Sequence, residues 1–293
     1  MSTVGKRRSL AIVVSAYVTA IAVGYLWLVW GVPTGRRWLD TLIADVLATL
    51  VVFGFSRRFA NSSFYDAYWS VIPPLLLFYW WSHGDGAAWR CWLIAVVVVV
   101  WSVRLTGNWV YGWSGLDHED WRYPMFRRRA GRWEYAADLI AIHLIPTLQV
   151  FLAMLPVYVA VTTPGDGLVW LSVVAFVLGM AAVALEFAAD RQMHRFARDR
   201  RPGEVMDRGL WGWSRHPNYF GEFGFWFALA LFGGAASPGS WWLFAGAAAM
   251  LAMFLGASIP MMEARSLQRR PGYQAVVDRV PRFVPRPPRR VRA

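Results

Sequence analysis

Polar and apolar positions along this chain fall into blocks, not stripes. From Leu10 to Trp30 no residue carries a charge. Comparable apolar runs recur at about 40–55, 66–81, 88–104, 137–161, 167–188, 219–235 and 240–260. A helix rising 1.5 Å per residue needs about 20 such residues to cross the hydrocarbon of a bilayer. The pattern predicts an all-α fold: one integral membrane domain over residues 1–293, a polytopic transmembrane bundle of about eight spans. The runs at 40–55 and 66–81 are short and call for tilted neighbours or a locally thinned bilayer. Pro73 and Pro74 predict a kink in the third span, and Pro146 and Pro156 in the fifth. The carbonyls they free must find partners inside the bundle.

The distribution of cations sets the direction of the chain. With the N-terminus inside, the connections at 1–9, 56–65, 104–136 and 189–218 and the tail from 261 hold 27 of the 30 Lys and Arg. Only Arg36, Arg37 and Arg90 fall on the other side. This asymmetry predicts cytoplasmic N- and C-termini in the cell (inner or plasma) membrane, and it supports the number of spans as well. The net charge of +12 then reflects arginines meeting anionic headgroups, and no nucleic acid partner is expected. Lys6, Arg7 and Arg8 before an apolar stretch resemble the start of a signal peptide. The stretch is longer than the usual signal core and no small-residue cleavage site precedes Gly31, so an uncleaved first span is the better reading. Cys91 stands alone, which excludes an internal disulfide. The five His are scattered, and no metal site is expected.

The outer connections at 31–39, 82–87, 162–166 and 236–239 are too short to build a site. Chemistry is therefore expected at the cytoplasmic helix ends. No Walker sequence or dinucleotide-binding glycine fingerprint is present. The densest polar group lies at 186–222. Glu186 and Asp190 are four apart and share a helical face, and so do Asn218 and Glu222 at the entrance of the seventh span. Arg191, Arg195, Arg198, Arg200 and Arg201 lie between them. Carboxylates just inside a membrane helix need buried partners. Two such pairs flanked by guanidiniums suit a ligand carrying amides, hydroxyls and phosphates. A plainer reading has Glu186 and Asp190 paired with Arg191 or Arg195 to solvate a helix end. On the same footing Trp211 and Trp213 are interfacial aromatics, His216 caps a helix or touches phosphate, and Arg127, Arg128 and Arg129 face headgroups.

The segment Trp213-Ser-Arg-His-Pro-Asn-Tyr-Phe-Gly-Glu222 resembles the signature of the steroid 5α-reductase superfamily, in particular its bacterial branch of integral membrane proteins. Glu263-Ala-Arg-Ser-Leu-Gln-Arg-Arg-Pro-Gly-Tyr273, Val280 to Pro285 and Asp120-Trp-Arg-Tyr123 extend the likeness, which covers roughly 60–290. Weaker versions of these elements occur in isoprenylcysteine carboxyl methyltransferases and sterol reductases. The resemblance implies NADPH in a cofactor-binding C-terminal half (104–293), with the N-terminal helices (1–103) on the substrate side. Asn218 and Glu222 match the family's motif asparagine and glutamate, and Asp190 a family aspartate. Glu186 stands where eukaryotic members carry an amide. Further implied contacts are Arg104, Asn108, Arg122 and Tyr123, and, around the motif and the tail, Arg215, His216, Tyr219 and Glu263.

The reaction implied is conjugate reduction of an enone in a lipophilic substrate entering from the bilayer. Negative charge develops on the carbonyl oxygen, and an acid or hydroxyl placed there speeds the step because it acts most strongly in the transition state. In eukaryotic members a glutamate and a tyrosine of the N-terminal half do this. That half matches poorly here, so Asp66, Tyr65 and Tyr68, with Trp69, are the candidates. Asp45, His143 and Gln149 are further intramembrane polar groups, His143 and Gln149 being read as interhelical hydrogen-bonding residues. Two other classes stay open: a methyltransferase using S-adenosylmethionine in the equivalent pocket, and a non-enzymatic membrane protein. Neither the substrate nor the oligomeric state follows from the sequence.

Overall fold

The computed structural model describes residues 5–287. The apolar runs form α1 (Lys6–Trp30), α2 (Arg37–Arg58), α3 (Tyr68–Trp81) and α4 (Ala88–Gly112). A short α5 (Arg122–Ala130) follows. Then α6 (Glu134–Ala137) runs through a π-helical stretch, Asp138–Leu144, into α7 (Ile145–Thr162). The chain continues as α8 (Val169–Asp199), α9 (Pro217–Ala236) and α10 (Ala245–Met253). A second π stretch, Phe254–Ser258, joins α10 to α11 (Ile259–Arg269), and α12 (Tyr273–Arg279) closes the series. No strand occurs among the described residues. Six helical stretches are long and apolar enough to cross a membrane: α1, α2, α4, Arg122–Thr162, α8 and Trp241–Arg269. The expected third and seventh spans lie outside that set. Here α3 has 14 residues, and α9 opens on the polar Pro-Asn-Tyr-Phe-Gly-Glu segment.

Several helices outrun the apolar runs that predicted them. The fourth continues past Arg104 to Gly112 and the sixth past Asp190 to Asp199. Hydropathy marks where hydrocarbon contact ends, whereas the hydrogen-bond ladder continues until the backbone is interrupted. Arg104, Asn108, Glu186 and Asp190 therefore sit on rigid helix, not on loops. At the start of the third span the structure is shorter than expected. A 3-10 turn over Ser62–Tyr65 leaves Asp66 in the connection before α3.

One hydrophobic core runs through the bundle, from Val13 to Phe283. At its centre, α9 packs against α7, α8 and α10. Small residues permit the close approach. A Cβ at Gly179 would lie 2.8 Å from Val97 Cγ1, and one at Gly233 would lie 2.7 Å from Pro156 Cβ. At the opposite end from the motif, Arg90 is fully buried. Its guanidinium donates to the carbonyls of Ala160 (3.0 Å), Thr163 (2.8 Å), Gly165 (3.0 Å) and Asp166 (2.9 Å). It thereby satisfies carbonyls at and just beyond the C-terminus of α7 that have no intrahelical partner.

Candidate functional site

Three helices bring distant polar residues to one point. Arg104 of α4 binds Glu186 of α8 directly, Asp190 of α8 at 2.9 Å, and lies 3.7 Å from Glu222 of α9. Asn108 donates to Asp190 at 3.1 Å, and Asn218 reaches its other oxygen at 3.5 Å. Glu222 also accepts from Trp226 (2.8 Å) and Trp101 (3.2 Å). The residues named in the plainer sequence reading, Arg191 and Arg195, do not pair with these acids. Arg104, far away in sequence, does.

Local sequence explains the convergence. Pro217 fits the first turn of α9 because its missing N–H needs no partner there. Asn218 and Glu222 then fall on the same helical face. Gly221 turns toward α8, where a Cβ would lie 2.5 Å from Glu186 Cγ and 2.9 Å from the Ala182 carbonyl oxygen. The glycine of the motif is the space in which Glu186 sits.

The cluster is almost dry and unbalanced: three carboxylates face one guanidinium, whose side chain is 8% exposed. Glu186 Oε1, Asn218 Oδ1 and Arg104 Nε are buried without a hydrogen-bond partner. Buried polar atoms are rarely left unpaired. Two of these three are acceptors, so groups that donate N–H or O–H bonds would complete them, and carboxamide and ribose hydroxyl groups are of that kind.

A second constellation joins the first. Asp66, in the connection before α3, accepts a hydrogen bond from the Tyr123 hydroxyl of α5. Burial lifts the Asp66 carboxyl from its ordinary 3.8 to about 6, against the lowering effect of that hydroxyl. Three residues on, Trp69 meets Trp101 edge-on at 5.7 Å, and Trp101 carries the bond to Glu222. Tyr65 and Tyr68, the other residues expected to grip a carbonyl, turn elsewhere. The Tyr65 hydroxyl is 2.7 Å from Thr147 Oγ1, and that of Tyr68 is 3.3 Å from Asp45. The partner of Asp66 is thus a tyrosine that the motif alone placed with the cofactor contacts. Nothing in the sequence joins residues 66 and 123 beyond their both being polar at helix ends.

The remaining motif residues are engaged in holding the tail. Arg215 donates to Glu263 (2.6 Å) and to the carbonyls of Val277 (2.9 Å) and Val280 (2.8 Å). Ser214 donates to the Phe283 carbonyl at 2.7 Å. His216 occupies the N-cap position of α9, but its ring lies 3.1 Å from Glu263 and makes no cap. Glu263 also pairs with Arg282 at 3.3 Å. Arg122 is held by Asp120 at 2.8 Å, and the Tyr219 hydroxyl donates to Met262 Sδ at 3.3 Å. Trp211 is not a free interfacial ring: its Nε1 donates to the Ala189 carbonyl at 2.9 Å.

A network that the sequence did not signal lies beside these residues. Asp138 accepts from Arg57 (2.8 Å) and Ser62 (2.7 Å), and Arg127 binds Glu119 at 2.8 and 2.5 Å. Arg127 is therefore not part of a headgroup-facing run, because it closes the interior of the connection. His143 links π stretch to α2 through Ser56 at 3.0 Å, and Gln149 reaches Met250 at 3.2 Å, both interhelical as read. The signal available in the sequence was Asp138 itself, an ionisable residue at the start of an apolar run.

A family model described as "Protein of unknown function (DUF1295)" matches residues 52–280. The chain belongs to this DUF1295 family. The match runs from α2 to just past α12, so the Asp66 segment and the carboxylate cluster lie within the DUF1295 region, while the tail clamp extends past its end to Arg282 and Phe283. A relative from Schizosaccharomyces pombe, "Uncharacterized protein C594.04c", is 29% identical over 274 residues, covering 84% of this chain and 78% of its own length. No solved structure matches the chain.

Proposed function

We propose that this DUF1295 protein is a membrane-embedded NADPH-dependent reductase of an activated C=C bond in a lipophilic enone. In this reading eight helices cross the inner membrane, α3 and α9 included, with both ends cytoplasmic, as the Lys and Arg distribution requires. The observation that carries the reading is the half-buried Asp66–Tyr123 pair, tied through Trp69 and Trp101 to a cluster with unpaired acceptors. NADPH, when bound, supplies the hydride. Glu186, Asp190, Asn218 and Glu222 would hold NADPH by accepting from its hydrogen-bond donors, and Arg104 keeps the acids in place. The Tyr123 hydroxyl proton is held by Asp66 in the free protein. Once Asp66 takes up a proton, as its raised pKa favours, the acid donates to the phenol oxygen and Tyr123 donates its own proton toward the substrate carbonyl oxygen. As the β-carbon gains hydride, charge collects on that oxygen and the pair stabilises it. A solvent proton at the α-carbon completes the saturated ketone.

One feature favours the methyltransferase as a second reading. Three carboxylates around one guanidinium also suit a sulfonium and an ammonium group. That alternative gives the Asp66–Tyr123 pair no task. The two part in a turnover experiment with C4-deuterated NADPH and a panel of lipophilic enones. The reductase transfers deuterium to the β-carbon, and Tyr123→Phe slows it without weakening cofactor binding. Methyl transfer from S-adenosylmethionine, with no deuterium transfer to any enone, would overturn the reductase.

A further inference from the structure

A groove of about 930 Å³ lies between α4 and α8, and Arg104, Asn108 and Asp190 of the polar cluster reach its lining. One end is apolar, with Val99, Val103, Met180 and Phe187 in its walls. Val103 and Phe187 are 67% and 49% exposed, which places the groove on the outside of the bundle. The other end is cationic. Arg191, His194 and Arg195 line it from one face of α8, as spacings of three and four residues dictate.

The two arginines of that face, Arg191 and Arg195, are unmatched. Asp190 is the carboxylate in the lining, and Arg104 already holds it at 2.9 Å. Arg198 is taken by Asp199, also at 2.9 Å. Arg191 stacks over the Phe187 ring at 5.4 Å, and neither Arg191 nor Arg195 makes an ion pair among the described residues. A small soluble anion would use the cations and leave the apolar wall idle. A neutral lipophile would do the reverse. An amphiphile with an anionic head and an acyl chain uses both, and basic pockets at helix ends bind such headgroups.

We infer that the α4–α8 groove is a binding site for an anionic phospholipid, its phosphodiester between Arg191 and Arg195 and one acyl chain along Val99, Val103, Met180 and Phe187. The groove shares Arg104, Asn108 and Asp190 with the polar cluster, so displacement of the lipid by NADPH would make this the cofactor's site instead.

Native mass spectrometry of the detergent-purified full chain tests it, using phosphatidylglycerol, phosphatidylcholine or inorganic phosphate as probe. One phosphatidylglycerol per chain is expected, with phosphatidylcholine retained roughly tenfold less. The double variant R191Q/R195Q should lower phosphatidylglycerol occupancy by roughly 10- to 30-fold, about a factor of five per cation. R128Q/R129Q, with the same charge loss at exposed positions of α5, should leave it unchanged. Gly107 lines the groove and a Cβ there meets nothing within 4 Å, so Gly107→Leu should fill the groove, lower occupancy and keep the thermal stability. The site is overturned by equal retention of the two lipids, by equal effects of the two arginine pairs, or by unchanged occupancy in Gly107→Leu. Binding of inorganic phosphate that displaces phosphatidylglycerol and requires the same arginines would make it a free-anion site instead.

Discussion

Removing the Arg104 guanidinium would leave Glu186, Asp190 and Glu222 facing one another in a space almost closed to water. Breaking a buried ion pair from one side costs about 3–5 kcal/mol, because the abandoned charge stays buried. Arg104→Met is expected to lose that much in thermal unfolding, and Arg104→Lys to lose less. Tyr123→Phe belongs to a different class. In the proposed reduction it deletes a hydroxyl that acts on charge developing only in the transition state, so kcat should fall roughly 10²–10³-fold while cofactor affinity holds. Asp66 adds a pH signature. Its carboxyl is raised from 3.8 to about 6 in the fold, so the folded state binds its proton more tightly. The associated stability is fully present below about pH 4 and is lost as pH rises through about 6. Apparent Tm should decline between pH 5 and 7.5 in the wild type and decline less in Asp66→Asn. An equal slope in both would separate the Asp66 titration from stability. Asp66 was legible as a candidate from its polar segment beside a span. Its partner was not, since periodicity describes one helix at a time and carries no information on which helix end meets which.

Whole helices were legible because uninterrupted apolar runs are their direct signature, but their ends were not. The fourth and sixth expected spans stop at 104 and 188, while the helices continue to Gly112 and Asp199. That excess length carries Asn108, Asp190 and the basic end of the α4–α8 groove. Pairing of helices was also hidden: Glu186 and Asp190 have arginines adjacent in sequence, yet these project outward and Arg104 reaches in from α4. Gly221 shows how tightly the elements are matched, because a methyl there collides with Glu186 Cγ and with the backbone of α8. Gly221→Ala should therefore separate α8 from α9 at a cost of about 1–3 kcal/mol. Cofactor-induced stabilisation should fall with it, more steeply than for Gly107→Leu, where a side chain has room.

At the scale of the molecule, the Asp66 segment and the α8–α9 cluster fall within one DUF1295 match, and the tail packs onto the same bundle. The motif's Ser214 and Arg215 hold carbonyls of residues 277–283, so much of the signature maintains the architecture around the site. Arg215→Gln should loosen α12 first. Hydrogen exchange in 273–287 should speed up before the bundle shows any change, and uniform acceleration along the chain would contradict a local clamp. The central claim is that the cluster of Arg104, Glu186, Asp190, Asn218 and Glu222 holds NADPH. A thermal-unfolding titration of the detergent-purified chain with NADPH, NADH and S-adenosylmethionine in parallel tests this most directly. A ligand bound only by the folded state adds about 2.7 kcal/mol at 100 times its dissociation constant. The account predicts a shift with NADPH that disappears in Asn218→Ala and Glu222→Ala. A shift with S-adenosylmethionine alone, or none with any of the three, would contradict it.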